Sequence, residues 1–154
     1  MRLAFAAAFA LIIPPSLSAQ TSQAAPDLAT AKPIDGSWSY AATSDGSEAT
    51  FANAGGAPQL WISCTRSTRQ VSIAKAATAA APFIAVWTSS QSRSVPASFN
   101  PATGRLTIQL GANDSFLDAL SNSRARLGFT VGSEPPLVVP AWAEPARVVE
   151  DCRA

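Results

Sequence analysis

The 154-residue sequence contains no histidine, only two cysteines and no marked excess of either charge. The absence of histidine removes the commonest general base and the commonest metal ligand of proteins. Eleven basic residues nearly balance ten acidic ones, which argues against a nucleic-acid binder, because such proteins depend on an excess of lysine and arginine. The same balance disfavours a polybasic membrane-surface protein. We therefore predict no cofactor, no metal site and no nucleic-acid partner.

Long apolar runs are also scarce, and the one that is present covers residues 3–13. It follows Arg2, ends at two prolines and leads to small residues up to Ala19, which is the layout of a secretory signal peptide. The run is shorter than the roughly 20 residues that a bilayer-spanning helix needs. We predict a signal peptide over 1–19 and no stable membrane span after its cleavage. An uncleaved N-terminal anchor is the alternative.

The two cysteines fit an exported protein. An oxidising compartment favours closure of a cysteine pair, so we predict a disulfide between Cys64 and Cys152 and a periplasmic or secreted location. The bridge would enclose a long loop, for which chain-entropy arithmetic gives roughly 4–5 kcal/mol of stabilisation as an upper estimate. Two free or intermolecular thiols are the alternative.

The rest of the chain divides into a leader and one domain. Residues 20–35 are rich in Ala, Ser, Thr, Gln and Pro without an apolar period, which is typical of a flexible leader. Residues 36–154 show short apolar alternations separated by turn-forming clusters, which indicates many short strands. We predict a single, mainly β domain there, an antiparallel β-sandwich or a barrel-like fold.

Two segments show the strand patterns most clearly. In "QLWISC", Leu60, Ile62 and Cys64 alternate with other residues and share one face, which places the Cys64 sulfur inward. "PFIAVWT" is apolar at successive positions from Phe83 to Trp87. A strand of that kind is typically covered on both faces, and we predict so here.

Two short helices are predicted, at about 115–123 and 144–152. In the first, Ser115 followed three residues later by Asp118 resembles a capping box. In the second, Val148 and Cys152 are four residues apart and therefore share one face of the helix. The second helix would be held to the central strand by the disulfide.

No motif predicts catalytic residues. Ser72 and Lys75 have the spacing of serine–lysine acyl transferases, but that chemistry needs both on one helical turn, and this segment has a strand pattern. A glycosidase requires two carboxylates across a cleft, and no acidic pair in the sequence has a motif that supports one.

Positive charge is concentrated in the middle of the chain. Residues 64–126 contain seven basic and two acidic residues, a net charge of +5. If these side chains converge, they form a candidate anion-binding or partner-binding face; the alternative is a scattered set on outward strand positions. The candidate residues are Arg66, Arg69, Arg93, Arg105, Arg124 and Arg126.

The segments "QLWISC…QVSIAK", "SFLDALSNSRARLGFTV" and "ARVVEDC" resemble small exported proteins of unknown function from alphaproteobacteria, especially sphingomonads. The resemblance covers about residues 37–154. More distantly, the order of strand with Cys, hairpin, short helix, strand and final helix with Cys resembles the type VI secretion accessory VasI and the invasion-associated locus B proteins. Neither group supplies catalytic residues that match this sequence.

These observations together predict an exported, non-enzymatic module of the bacterial envelope. Its expected role is a protein-interaction accessory in the periplasm, with an envelope protein or ligand as its partner. The alternatives are a periplasmic inhibitor of an envelope hydrolase and a small hydrolase.

Overall fold

The structure, a computed structural model, describes residues 25–124 and 126–154. It is mainly β, with two helices and one disulfide, which confirms the predicted fold class. The strands are β1 (Gly36–Thr43), β2 (Gly46–Asn53), β3 (Pro58–Thr65), β4 (Gln70–Ala76), β5 (Phe83–Trp87), β6 (Ser92–Pro96), β7 (Ser98–Asn100), β8 (Arg105–Gly111), β9 (Arg126–Val131) and β10 (Leu137–Pro140). The helices are α1 (Ser115–Ser121) and α2 (Ala143–Arg153).

The strands form two open antiparallel sheets. The six-stranded sheet has the order β1-β2-β3-β4-β8-β7, and the four-stranded sheet has the order β10-β9-β5-β6. Every neighbouring pair of strands runs antiparallel. Each sheet therefore ends in two edge strands, namely β1 and β7 in the larger sheet and β10 and β6 in the smaller one.

The core lies on one face of the larger sheet. The predicted inward face of β3 is confirmed, because Leu60, Ile62 and Cys64 are all buried. The register continues this face across the sheet, with Ile62 opposite Ala49 of β2 on one side and Ile73 of β4 on the other. Alternation of period two thus places one apolar row of each strand in the core.

Helix α2 packs on the same face, against β2, β3, β4 and α1. Val148, Val149 and Cys152 form its buried stripe. The predicted disulfide joins Cys152 to Cys64 on β3, with 5.4 Å between the Cα atoms, which is within the usual range for a disulfide. The end of the chain is therefore fixed covalently to the middle of the larger sheet.

Helix α1 begins one residue earlier than the capping-box pattern indicates. Its N-cap is Asp114, whose carboxylate accepts a hydrogen bond from the Phe116 N–H at 2.8 Å. Ser115 is the first helical residue, and the prediction that it caps the helix is wrong. Asp and Ser are both good N-caps, and Asp114 takes the position because it follows the turn that ends β8.

Strand β5 corrects a second prediction. Ile84 and Val86 are fully buried, but Phe83 on the other face is 49% exposed and Trp87 is half-buried. The expected cover on both faces is wrong at Phe83, because the second face forms the outside of the smaller sheet and the leader lies only beside Trp87 at the other end of the strand.

Part of the predicted leader lies against the smaller sheet. The Ile34 N–H donates to the Val138 carbonyl at 2.9 Å, and an Arg126 Nη donates to the Leu28 and Ala29 carbonyls at 2.8 and 2.9 Å. Gly128 permits this contact, because a Cβ there would lie 3.2 Å from a Leu28 methyl carbon. The predicted signal peptide and residues 20–24 of the leader lie outside the described residues.

Within the described ranges, no helix is long and apolar enough to cross a bilayer.

Candidate functional site

The six arginines proposed as one charged face engage different parts of the structure. Two of them bind the carboxyl end of α2: Arg66 Nε donates to the Asp151 carbonyl at 3.2 Å, and Arg69 Nη2 donates to the Arg153 carbonyl at 3.1 Å. The last carbonyls of a helix have no partners within it, and basic side chains satisfy them while complementing the helix dipole. These two arginines therefore have a structural role.

Two further arginines cover aromatic rings. Arg93 pairs with Asp114 at 2.7 Å, and its guanidinium lies 4.8 Å from the centre of the Phe116 ring. Arg105 lies 3.7 Å from the centre of the Trp61 ring, on the face of the larger sheet opposite the core. Both contacts stabilise the fold through cation–π attraction.

The last two, Arg124 and Arg126, line a groove of about 410 Å³ beside the leader. Arg126 is engaged there by the leader carbonyls, and Arg124 is exposed. The described structure thus brings Arg66 near Arg69 and Arg124 near Arg126, but the six side chains do not form one continuous set of contacts.

The residues of the serine–lysine motif do not meet. Ser72 and Lys75 lie on strand β4, three positions apart, so their side chains point to opposite faces of the sheet. Lys75 instead pairs with Glu134 at 3.1 Å. In the described ranges, no group of three or more acidic or cysteine side chains is placed to hold a metal ion.

A different feature, the edge strand β1, has the properties of a binding site. Edge strands expose unpaired N–H and C=O groups, and proteins usually protect them with short length, proline or charge. Three of the four edges show such protection. Strand β7 has three residues, and β6 contains Arg93 and Pro96. Strand β10 ends at Pro140, and its Val138 carbonyl accepts a hydrogen bond from the leader.

Strand β1 has none of these protections. Its eight residues, "GSWSYAAT", contain no charge and no proline, and they pair in unbroken register with β2. Among the described residues, β2 is its only hydrogen-bonded strand neighbour. Ser39, Ala41, Ala42 and Thr43 are all exposed. The edge is therefore long and regular. Its first half lies close to β10, because Trp38 is buried and its indole N–H donates to the Pro140 carbonyl at 2.8 Å, and its second half is open.

A groove of about 470 Å³ lies between β1 and α2. Its single lining residue from β1 is Tyr40, and the remainder come from the first two turns of α2. The lining residues are Tyr40, Ala143, Glu144, Ala146, Arg147 and Glu150. We call this set, together with the free edge of β1, the β1–α2 groove. Trp142, which precedes α2, is 48% exposed.

Tyr40 is held in place at the floor of the groove. Its hydroxyl donates to Asp151 at 2.5 Å, and the Arg147 guanidinium lies 4.0 Å from its ring centre. The hydrogen bond from Tyr40 is the main reason that the pKa of Asp151 lies below its usual value, and the positive charges of Arg66 and Arg147 act in the same direction. Asp151 therefore stays ionised, and its negative charge is stabilised by the Tyr40 hydroxyl and by the two nearby arginines.

Glu144, by contrast, has a carboxylate oxygen without a hydrogen-bond donor in the described structure. Its Oε2 atom is buried and has no hydrogen-bond partner among the described residues. Buried acceptors without a donor are rare in folded proteins, because the lost hydrogen bond to water is not replaced. The groove thus combines an open strand edge with an acceptor that lacks a donor.

Sequence reasoning missed this groove. The available signal was the uncharged, proline-free run "GSWSYAAT" at the start of the domain, which is unusual for an edge strand. Its position at an edge follows only from the strand order, and its nearness to α2 depends on packing between residues more than a hundred positions apart.

No family model, no curated protein and no solved structure matches this chain. The resemblance to small exported alphaproteobacterial proteins stays a prediction.

Proposed function

We propose that this protein is an exported, non-enzymatic module of the bacterial envelope that binds a protein partner in the periplasm. Two features support export. The sequence begins with the pattern of a signal peptide, and the Cys64–Cys152 disulfide is of the kind that persists in oxidising compartments.

The open edge of β1 is the observation that carries the binding role. A free, regular strand edge beside a groove is the arrangement by which several domains bind an extended peptide as an additional strand. Main-chain hydrogen bonds then supply affinity, and the groove selects side chains. We infer that an extended segment of the partner pairs with β1 and places side chains against α2.

Site-specific photo-crosslinking in the periplasm tests this proposal. Ala42 is exposed and lies on the same face of β1 as Tyr40, so a photoreactive residue there faces the β1–α2 groove. Gln109, exposed on the outer face of the inner strand β8, is the matched control. We expect one discrete crosslinked partner from position 42 and none from position 109.

Crosslinking from neither position, or equally from both, would contradict binding at β1. A captured envelope hydrolase whose activity falls in the complex would favour the inhibitor role. The export part has its own test, since intact mass of periplasmic protein should correspond to a chain beginning at Gln20. A cytoplasmic protein that begins at Met1 would contradict it.

A further inference from the structure

We propose that the segment bound in the β1–α2 groove is an extended peptide carrying a lysine or arginine, whose side chain donates a hydrogen bond to Glu144. This inference rests on the proposed function and adds the chemistry of the partner.

The backbone of the site sets the extended conformation of the ligand. Alternate residues of an edge strand direct their N–H and C=O groups away from the sheet. A peptide that pairs with β1 becomes the seventh strand of the larger sheet, and every second side chain faces α2. The groove beside Tyr40 receives those side chains.

Glu144 selects the basic side chain. Glu144 lines the groove, and its Oε2 is closed to solvent and has no donor within the described structure. A ligand in the groove therefore reaches this oxygen only if the Glu144 side chain rotates toward it. Glu144 lies in the first turn of α2, where the positive end of the helix dipole favours a carboxylate without supplying a hydrogen bond to it. An ammonium or guanidinium group supplies both a donor and the opposite charge, and such hydrogen bonds are the strong ones.

The charge balance of the groove points in the same direction. Two carboxylates, Glu144 and Glu150, and one cation, Arg147, line it. The Arg147 guanidinium lies against the Tyr40 ring and beside Asp151, whose pKa it helps to lower. The groove therefore has a net negative charge, and it complements a basic segment better than an acidic one. A second copy of this chain would present the same acidic set to itself.

Three synthetic peptides test the inference. Each is an alternation of threonine and valine, and they differ only in a central lysine, norleucine or glutamate. Binding to the oxidised protein purified from periplasm is measured by titration calorimetry, and pairing with β1 is measured by amide hydrogen exchange. We expect the lysine peptide to bind about tenfold more tightly than the norleucine peptide, the glutamate peptide to bind weakest, and the β1 amides to gain protection.

Two variants separate the specific contact from general charge. Glu144→Gln should remove most of the preference for lysine, whereas Glu134→Gln, which removes an exposed carboxylate that does not line the groove, should retain most of it. Melting temperature and circular dichroism check that both variants fold. Equal losses in the two variants would overturn the role of Glu144.

The remaining outcomes distinguish this inference from the proposed function. Equal affinity for all three peptides, or failure of the lysine peptide to bind, would overturn the basic ligand while a crosslink from position 42 still supported partner binding. A stable dimer in sedimentation that protects the β1 amides without peptide would show that a second copy occupies the edge, and would also overturn it.

Discussion

Asp114 has two roles at the start of α1. It caps the helix through the Phe116 N–H, and it pairs with Arg93 from β6. We predict that Asp114→Ala lowers the free energy of unfolding by about 0.5–2 kcal/mol, measured by urea denaturation. Asp114→Asn keeps the cap acceptor and should lose less. Ser115→Ala should change little, and a loss as large as that of Asp114→Ala would show that Ser115 is the cap after all.

The same carboxylate makes a pH-dependent contribution to stability. Burial by itself raises the pKa of Asp114, but the hydrogen bonds from Arg93 and the Phe116 N–H outweigh it, and the pKa lies below its ordinary value. A carboxylate with a lowered folded-state pKa stabilises the fold above its unfolded pKa of about 3.9, and this stabilisation is lost as pH falls through the folded value. The stability difference between wild type and Asp114→Asn should therefore shrink below about pH 4. A difference that stays constant through acid unfolding measurements would contradict this.

Asp114 also shows which features of the helix start can be predicted from the local sequence. The sequence "NDS" holds three good N-cap formers in a row, so a helix start in this region is predictable. Which of the three is the cap depends on where β8 ends and on Arg93, more than twenty positions away. Local propensity places the helix, and tertiary contact selects the cap.

At the scale of elements, α2 depends on contacts far along the chain. Arg66 and Arg69 bind its last carbonyls, while Arg153 donates to the Ala112 carbonyl and pairs with Asp118 of α1. The excess of positive charge over residues 64–126 is evident in the sequence. The sequence does not show that two of these arginines bind the last carbonyls of α2. Basic side chains that satisfy a helix end have the same sequence pattern as those of a binding face.

The disulfide is the strongest single restraint on α2. We predict that Cys152→Ser lowers the free energy of unfolding by about 2–5 kcal/mol and retains most of the β signal in circular dichroism, because the strands are hydrogen-bonded to one another and not to α2. The double variant Cys64→Ser/Cys152→Ser is the control, since the single variant leaves one thiol that can form dimers. An unchanged denaturation midpoint in the double variant would show that Val148 and Val149 suffice to hold the helix.

At the scale of the whole molecule, the fold class could be predicted from the sequence and the binding site could not. Alternation of period two identifies strands such as "QLWISC", and turn-forming residues separate them. Strand order, however, depends on which strands pair across long separations, as β4 does with β8. Because the strand order decides which strands lie at an edge, the open edge of β1 and the groove beside it could not be predicted from local sequence patterns.

The leader shows the same limit and gives the last prediction. Its composition is typical of a flexible segment, yet Pro26 and Leu28 lie half-buried over Gly128 and beside Trp87. We predict that a chain without residues 20–33 folds but loses about 1–2 kcal/mol of stability, because the apolar surface beneath the leader returns to water. The tryptophan emission, to which Trp87 is one of four contributors, should shift to longer wavelength in that chain. Gly128→Ala in the full-length mature protein is the companion test, since a Cβ there crowds Leu28 and Pro26 of the leader, and also Trp87, without shortening the chain. If both changes leave the denaturation midpoint and the emission unaltered, the leader contributes nothing to the stability of the domain.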